Sequence, residues 1–220
     1  MQLTIFNGSP RGKKSNSKIL IEQFTRGLME TEGNSFQIHF LNRINDAEIF
    51  ARAFGEAECV LVATPLYTDS MPGMVKAFIE TLEPYVGRQG NPPIGFIVQS
   101  GFPEAAHSRH LERYFEKLAA RLGSPYLGTI VKGGVEGIQI QPEKMTRKLF
   151  DAFYQIGLHF GKTGEFHQDL IQSLAKPERY PRWMGPIFKV FLKTKFGRFY
   201  WDSQLNKNGA YEDRFARPFA

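Results

Sequence analysis

The feature that most restricts this chain is an alternation. Short apolar runs of strand length take turns with longer stretches whose apolar residues recur every three or four positions. Leu3 to Phe6 is the first run. Leu20, Phe24 and Leu28 then share a spacing of four, the stripe of a helix over residues 17–30. Phe36-Gln37-Ile38-His39-Phe40 alternates apolar and polar, as a half-covered strand near a sheet edge does. A short helix is expected over 47–56. Cys59-Val60-Leu61-Val62-Ala63 is a continuous apolar run, as in a parallel strand covered on both faces. Val75, Phe78, Ile79 and Leu82 predict a helix starting near Pro72. Ile94 to Val98 reads as another buried strand. A helix through Leu111, Tyr114, Phe115, Leu118 and Leu122 is ended by Gly123. Tyr126 to Val131 is the fifth strand, and Leu149, Phe153, Ile156 and Phe160 mark a last helix. Five strands with interleaved helices require right-handed crossovers and a parallel sheet, which makes this an α/β fold with a doubly wound sheet.

In such sheets ligands lie beyond the carboxyl ends of the strands, where the strand order reverses. The loops after Phe6, Ala63 and Gln99 are therefore the candidate site. The first runs Asn7-Gly8-Ser9-Pro10-Arg11-Gly12-Lys13-Lys14-Ser15-Asn16-Ser17. A helix N-terminus offers orphan N–H groups and a positive dipole end to an anion. Ser9, Ser15, Asn16 and Ser17 add donors, and Arg11 adds a charge-assisted one. A helix cap needs one such residue, and this loop has four with Arg and two glycines. No Gly-Lys-Ser/Thr closes it and it lacks Gly-x-Gly-x-x-Gly, so the common nucleotide motifs are excluded. The second loop, Thr64-Pro65-Leu66-Tyr67-Thr68-Asp69-Ser70-Met71-Pro72-Gly73, offers flat apolar surface at Leu66 and Tyr67. In the third, Gln99-Ser100-Gly101-Phe102-Pro103-Glu104, Gly101 permits close backbone approach and Phe102 can cover a ligand.

Taken together, Gly-Ser-Pro-Arg-x-x-x-Ser-Asn-Ser and Pro-Leu-Tyr-x-x-x-x-Pro-Gly-x-x-Lys-x-Phe-Ile-Glu (65–80) resemble the NAD(P)H-dependent FMN reductases. That flavodoxin-like group includes quinone reductases and iron–sulfur flavoproteins. The resemblance covers roughly residues 1–160. It implies a five-stranded sheet of order 2-1-3-4-5 with helices on both faces. It implies FMN with its phosphate on Ser9, Arg11, Ser15, Asn16 and Ser17. The ring would lie against Pro65, Leu66, Tyr67 and Thr68, with Ser100 and Gly101 on another edge. It further implies NAD(P)H as co-substrate, a small acceptor such as a quinone or flavin, and a homodimer. The only cysteine is Cys59, so the cysteine cluster of the iron–sulfur members is absent and no metal is expected. No side chain stands out as catalytic. His107 and His110 open the helix after the third loop and are either surface residues or neighbours of the site. Arg109, Arg113, Lys13 and Lys14 are either solvated or able to meet a 2′-phosphate. A flavodoxin-type electron carrier and a flavin-binding sensor without NAD(P)H turnover are the alternatives.

Of the net charge of +6, five units fall in residues 161–220. That extension is aromatic and basic. Met184, Ile187, Phe188, Phe191 and Leu192 lie on one helical face with Lys189 and Lys193 opposite. Lys195 would return to the apolar face, so the helix is expected to end near there. Phe196, Phe199, Tyr200, Trp201 and a polar end to Ala220 follow. Packing on the domain, packing on a partner subunit and contact with an anionic membrane surface all suit such a segment. A nucleic-acid role is not expected, because the basic residues are sparse and the aromatics clustered. Met1 leads straight into a strand, and no apolar run approaches the roughly 20 residues of a spanning helix, so a cytoplasmic chain is expected.

Overall fold

Successive residues of a strand point to opposite sheet faces, so a strand covered on both sides must be apolar at every position. Strands β1 (Gln2–Asn7), β3 (Cys59–Pro65) and β4 (Ile94–Gln99) come close to that condition and are buried almost throughout, with Thr4, Asn7, Thr64 and Gln99 as buried polar exceptions. In this computed structural model, which describes residues 1–217, they form the middle of a five-stranded sheet. The ring of Phe196 and residues 218–220, the end of the expected aromatic and polar tail, lie outside the described residues. β2 (Ser35–Phe40) and β5 (Tyr126–Lys132) are the edges. The order is β2-β1-β3-β4-β5 and all four pairings are parallel. This is the flavodoxin-like doubly wound sheet that the sequence predicts, with its reversal between β1 and β3.

Two apolar layers cover the sheet. On one face Leu3, Ile5, Leu61, Ala63, Ile97 and Ile130 pack against α1 (Asn16–Leu28), α5 (Glu143–Thr163) and α6 (Gln168–Leu174). On the other, Phe6, Val60, Val62, Phe96 and Val98 pack against α2 (Ala47–Gly55), α3 (Gly73–Glu80) and α4 (Arg109–Leu122). Neighbours such as Ile5 and Phe6 thus serve opposite layers. Cys59 is buried in the first layer, and loss of solvation pushes its thiol up to about 12. α4 ends on Gly123 at φ +75°, as the sequence indicates.

The crossing of α1 and α5 is unusually close. A Cβ on Gly157 would lie 1.9 Å from the carbonyl oxygen of Phe24, and one on Gly27 would lie 2.0 Å from that of Tyr154. Two glycines therefore face each other's backbones. α6 was not distinguishable in the sequence, since it has seven residues and buries only Ile171 and Leu174.

The chain divides into two compact units, residues 1–179 and 180–220. The second contains α7 (Met184–Phe191) and α8 (Lys195–Lys207). The apolar stripe ends where expected, but Thr194 accepts a hydrogen bond from the N–H of Gly197 and starts a new helix. None of the described residues of this unit is buried.

Candidate functional site

The three loops meet at the carboxyl edge of the sheet, because backbone hydrogen bonds carry the strand pairing into them. The Gly8 N–H donates to the Ala63 carbonyl at 2.8 Å, and the Leu66 N–H donates to the Gln99 carbonyl at 2.8 Å. Gly8 must be glycine here: a Cβ would lie 2.2 Å from a methyl of Val75 on α3. The resulting cleft is lined by Ser9, Arg11, Asn16, Pro65, Leu66, Tyr67, Gln99, Ser100, Gly101 and Glu136.

Eight of the eleven residues expected at the site are brought to this cleft. Ser15 and Ser17 stand behind it, and Thr68 lies on the turn beyond Tyr67. Ser15 caps α1: its hydroxyl accepts from the Lys18 N–H at 3.1 Å and donates to the Gly12 carbonyl at 2.7 Å. The buried Ser17 hydroxyl accepts from Gln99 at 3.4 Å. Both therefore shape the loop with their side chains, and the Lys18 N–H in the first turn of α1 is taken by the Ser15 cap. Asn16 is 4% exposed, and its amide donates to the Val135 carbonyl at 2.8 Å while its oxygen accepts from Gln139 at 2.8 Å.

These contacts reveal a fourth wall that sequence reasoning missed, the segment following β5. The Val135 N–H donates to the Ser100 carbonyl at 3.0 Å, and Gly134 donates to Phe102 at 3.0 Å. Gly133 comes so close to the third loop that a Cβ would lie 2.3 Å from the Phe102 carbonyl. Glu136 meets Arg11 at 3.3 Å across the cleft mouth. The one available signal was the Gly133-Gly134 pair at a strand end.

The second loop is strained. Tyr67 and Ser70 exchange backbone hydrogen bonds at 2.8 and 3.1 Å around a two-residue turn. Thr68 and Asp69 in its middle have φ of +49° and +61°, the left-handed region that a β-branched residue avoids. The turn leaves Tyr67 45% exposed at the cleft. It also consumes the Tyr67 N–H, and the Ser100 N–H donates to Lys132, so neither backbone donor faces the cleft. His107 stacks on Phe102 with ring centroids 4.7 Å apart, and lies 3.7 Å from Asp69 and 3.5 Å from Glu104. It ties the second loop to the third. His110 points elsewhere, to Arg113 at 2.9 Å. Arg109 is held by Glu178 and Glu112, each at 2.7 Å; the hydrogen bonds it donates to Glu178 are the main reason its guanidinium is held above its ordinary range.

The donor set fits a phosphate at one end of the cleft: buried Ser9, the cationic Arg11 and the start of α1, with the side-chain amide of Asn16 given over to the Val135 and Glu136 carbonyls. The other end, Pro65, Leu66 and Tyr67, is apolar and flat. Among the described residues no group of three or more His, Cys, Asp or Glu is placed to hold a metal.

Solved structures with the same fold include an FMN-dependent NADH-azoreductase from Bacillus anthracis in complex with FMN. It is 11% identical, with a TM-score of 0.55 over 73% of this chain and 100% of that one. An NAD(P)H:quinone oxidoreductase from Methanothermobacter marburgensis is 16% identical, with a TM-score of 0.59 over 73% and 96%. An oxidoreductase from Corynebacterium diphtheriae is 16% identical, with a TM-score of 0.54 over 79% and 98%. No curated protein matches the sequence. A family model of the flavodoxin-like fold, Flavodoxin_2, matches residues 1–153, which carry all five strands and the four walls of the cleft, and the chain belongs to that family.

Proposed function

We propose that this chain is an FMN-dependent oxidoreductase that takes reducing equivalents from NAD(P)H and passes them to a small acceptor, a quinone, a flavin or a similar compound. The observation that carries the reading is the pairing of an anion-binding helix start with a flat apolar wall in one cleft. Ser9, Arg11, Asn16 and the first N–H groups of α1 would hold the phosphate of FMN, over a loop shaped by Ser15 and Ser17. Pro65, Leu66, Tyr67 and the Thr68 turn would support the ring, with Ser100 and Gly101 on another edge. When bound, FMN supplies the hydride chemistry. The protein's part is to orient the ring and to leave one side of it open to co-substrates. With the Tyr67 and Ser100 N–H groups engaged, those of Thr68 and Gly101 are the backbone donors for the ring edge. Phe102, half exposed and stacked on His107, is placed to restrict water at the mouth.

The structural neighbours support this reading, since one is an FMN-dependent NADH-azoreductase and another an NAD(P)H:quinone oxidoreductase. A flavodoxin-type carrier is less well supported: residues 1–179 hold 20 Lys+Arg against 19 Asp+Glu, without the acidic surface that steers basic partners. A homodimer in the cytoplasm completes the proposal. The test is the absorbance of the purified protein, chromatographic identification of its cofactor, and anaerobic stopped-flow with NADH and NADPH. The expected result is a yellow protein whose FMN is bleached faster than free FMN. A colourless protein that FMN cannot reconstitute would overturn the proposal, as would bleaching no faster than free FMN.

A further inference from the structure

The second unit, residues 180–220, poses a problem of burial. Trp183, Ile187, Val190, Phe191, Leu192, Phe199 and Trp201 are each between 48% and 67% exposed. Scattered exposed hydrophobics are ordinary, but here they cluster within about twenty residues and none of the described residues of the unit is buried. α7 concentrates them. Ile187, Phe188 and Phe191 form one broad face that Leu192 extends at the helix end; Lys189 lies opposite, and Lys193 follows in the turn. The unit also carries eight Lys+Arg against three Asp+Glu, which is nearly all of the chain's net charge.

We propose that this unit docks the protein on an anionic lipid surface, with α7 lying in the plane of the interface. An interfacial helix of this kind needs an apolar face, cations on the flanks and aromatics at headgroup depth. α7 supplies the face. Lys189, Lys193, Lys195 and Arg198 supply the cations, and Trp183, Phe199 and Trp201 the aromatics. Each Lys or Arg near an anionic leaflet adds attraction that salt screens. The charge also weighs against the other occupants. Two copies meeting through this unit would bring together two segments of like charge, which disfavours the pairing. A nucleic acid would use the cations but leave Ile187, Val190 and Leu192 in water. The docking is peripheral, since among the described residues no helix is long and apolar enough to cross a membrane. The proposal is independent of what the cleft binds.

The test is co-sedimentation of the full chain with vesicles of phosphatidylcholine alone, and of phosphatidylcholine and phosphatidylserine at three to one. The protein is expected to pellet with the anionic vesicles and to be released by added salt. Ile187→Glu with Phe191→Glu should cut partitioning by more than about tenfold, through loss of buried apolar area. Lys189→Glu with Lys193→Glu should cut it by at least about fivefold per lysine on anionic vesicles. The thermal melt of residues 1–179 should be unchanged in both variants. Equal binding to both vesicle types, or none to either, would overturn the proposal. So would a dimer that Ile187→Glu with Phe191→Glu splits without lipid, which would assign the face to a second copy. A shift of duplex DNA abolished only by the lysine reversals would overturn it in favour of nucleic acid.

Discussion

At the scale of single residues the cleft is built by side chains that serve the backbone first. Thr68 and Asp69 hold a left-handed turn that neither residue prefers, and that turn places Tyr67 at the cleft. Strain of this kind persists where surrounding structure over-determines it, and it gathers at functional sites. Asn followed by Gly suits such a turn far better. Thr68→Asn with Asp69→Gly is therefore expected to raise stability by about 1 kcal/mol, read from urea denaturation of the flavin-free protein. Asn16 is a residue of the opposite kind. Its buried amide joins the first loop to the carbonyls of Val135 and Glu136. Asn16→Ala should cost about 2 kcal/mol by leaving buried polar groups unpaired, and should weaken FMN retention in an ultrafiltration assay. The need for small polar residues here was legible in the sequence. That Ser17 would turn its hydroxyl inward was not, because it depends on Gln99, more than eighty positions away.

At the scale of elements, the pairing of α1 with α5 is the tightest feature of the fold. Gly27 and Gly157 let the two backbones come together, and each would collide with the other helix if it carried a methyl group. Core substitutions that add volume without room cost about 1 to 3 kcal/mol, more when the obstacle is backbone. Gly157→Ala is expected to destabilise by about 3 kcal/mol or more, seen as a lower melting temperature by circular dichroism. Because α1 also presents its N-terminus to the cleft, the same variant should loosen the bound flavin. Both helices were readable from their apolar stripes. Their close contact was not, since a glycine within a helical pattern signals lower propensity and nothing about what approaches it.

At the scale of the whole molecule, stability and the candidate site both reside in residues 1–179. All three buried clusters fall between Leu3 and Ala175. Truncation after Arg179 should therefore leave the melting temperature within a few degrees and FMN retention unchanged, since no described residue beyond that point is buried. A large loss of either would overturn that assignment. The expected boundary after residue 160 and the division after residue 179 differ by α6 and its flanks, where Arg109 holds Glu178 with three charge-assisted hydrogen bonds.

What the sequence determined by itself was the parallel sheet, its two covered faces and the three loops at one edge. Those follow from local patterning: strand and helix periods, β-branched runs, and small polar residues before a helix. Tertiary structure alone decided the fourth wall after β5, the pairing of Arg11 with Glu136, the contact of Ser17 with Gln99, and the glycine contact of α1 with α5. Each of these joins residues far apart in the chain, and no period or spacing records which distant partner a side chain will meet. The loop at Ser9 to Ser17 shows the division. Its composition pointed to an anion site, and its partners elsewhere in the fold determined which of its side chains are taken up by the protein.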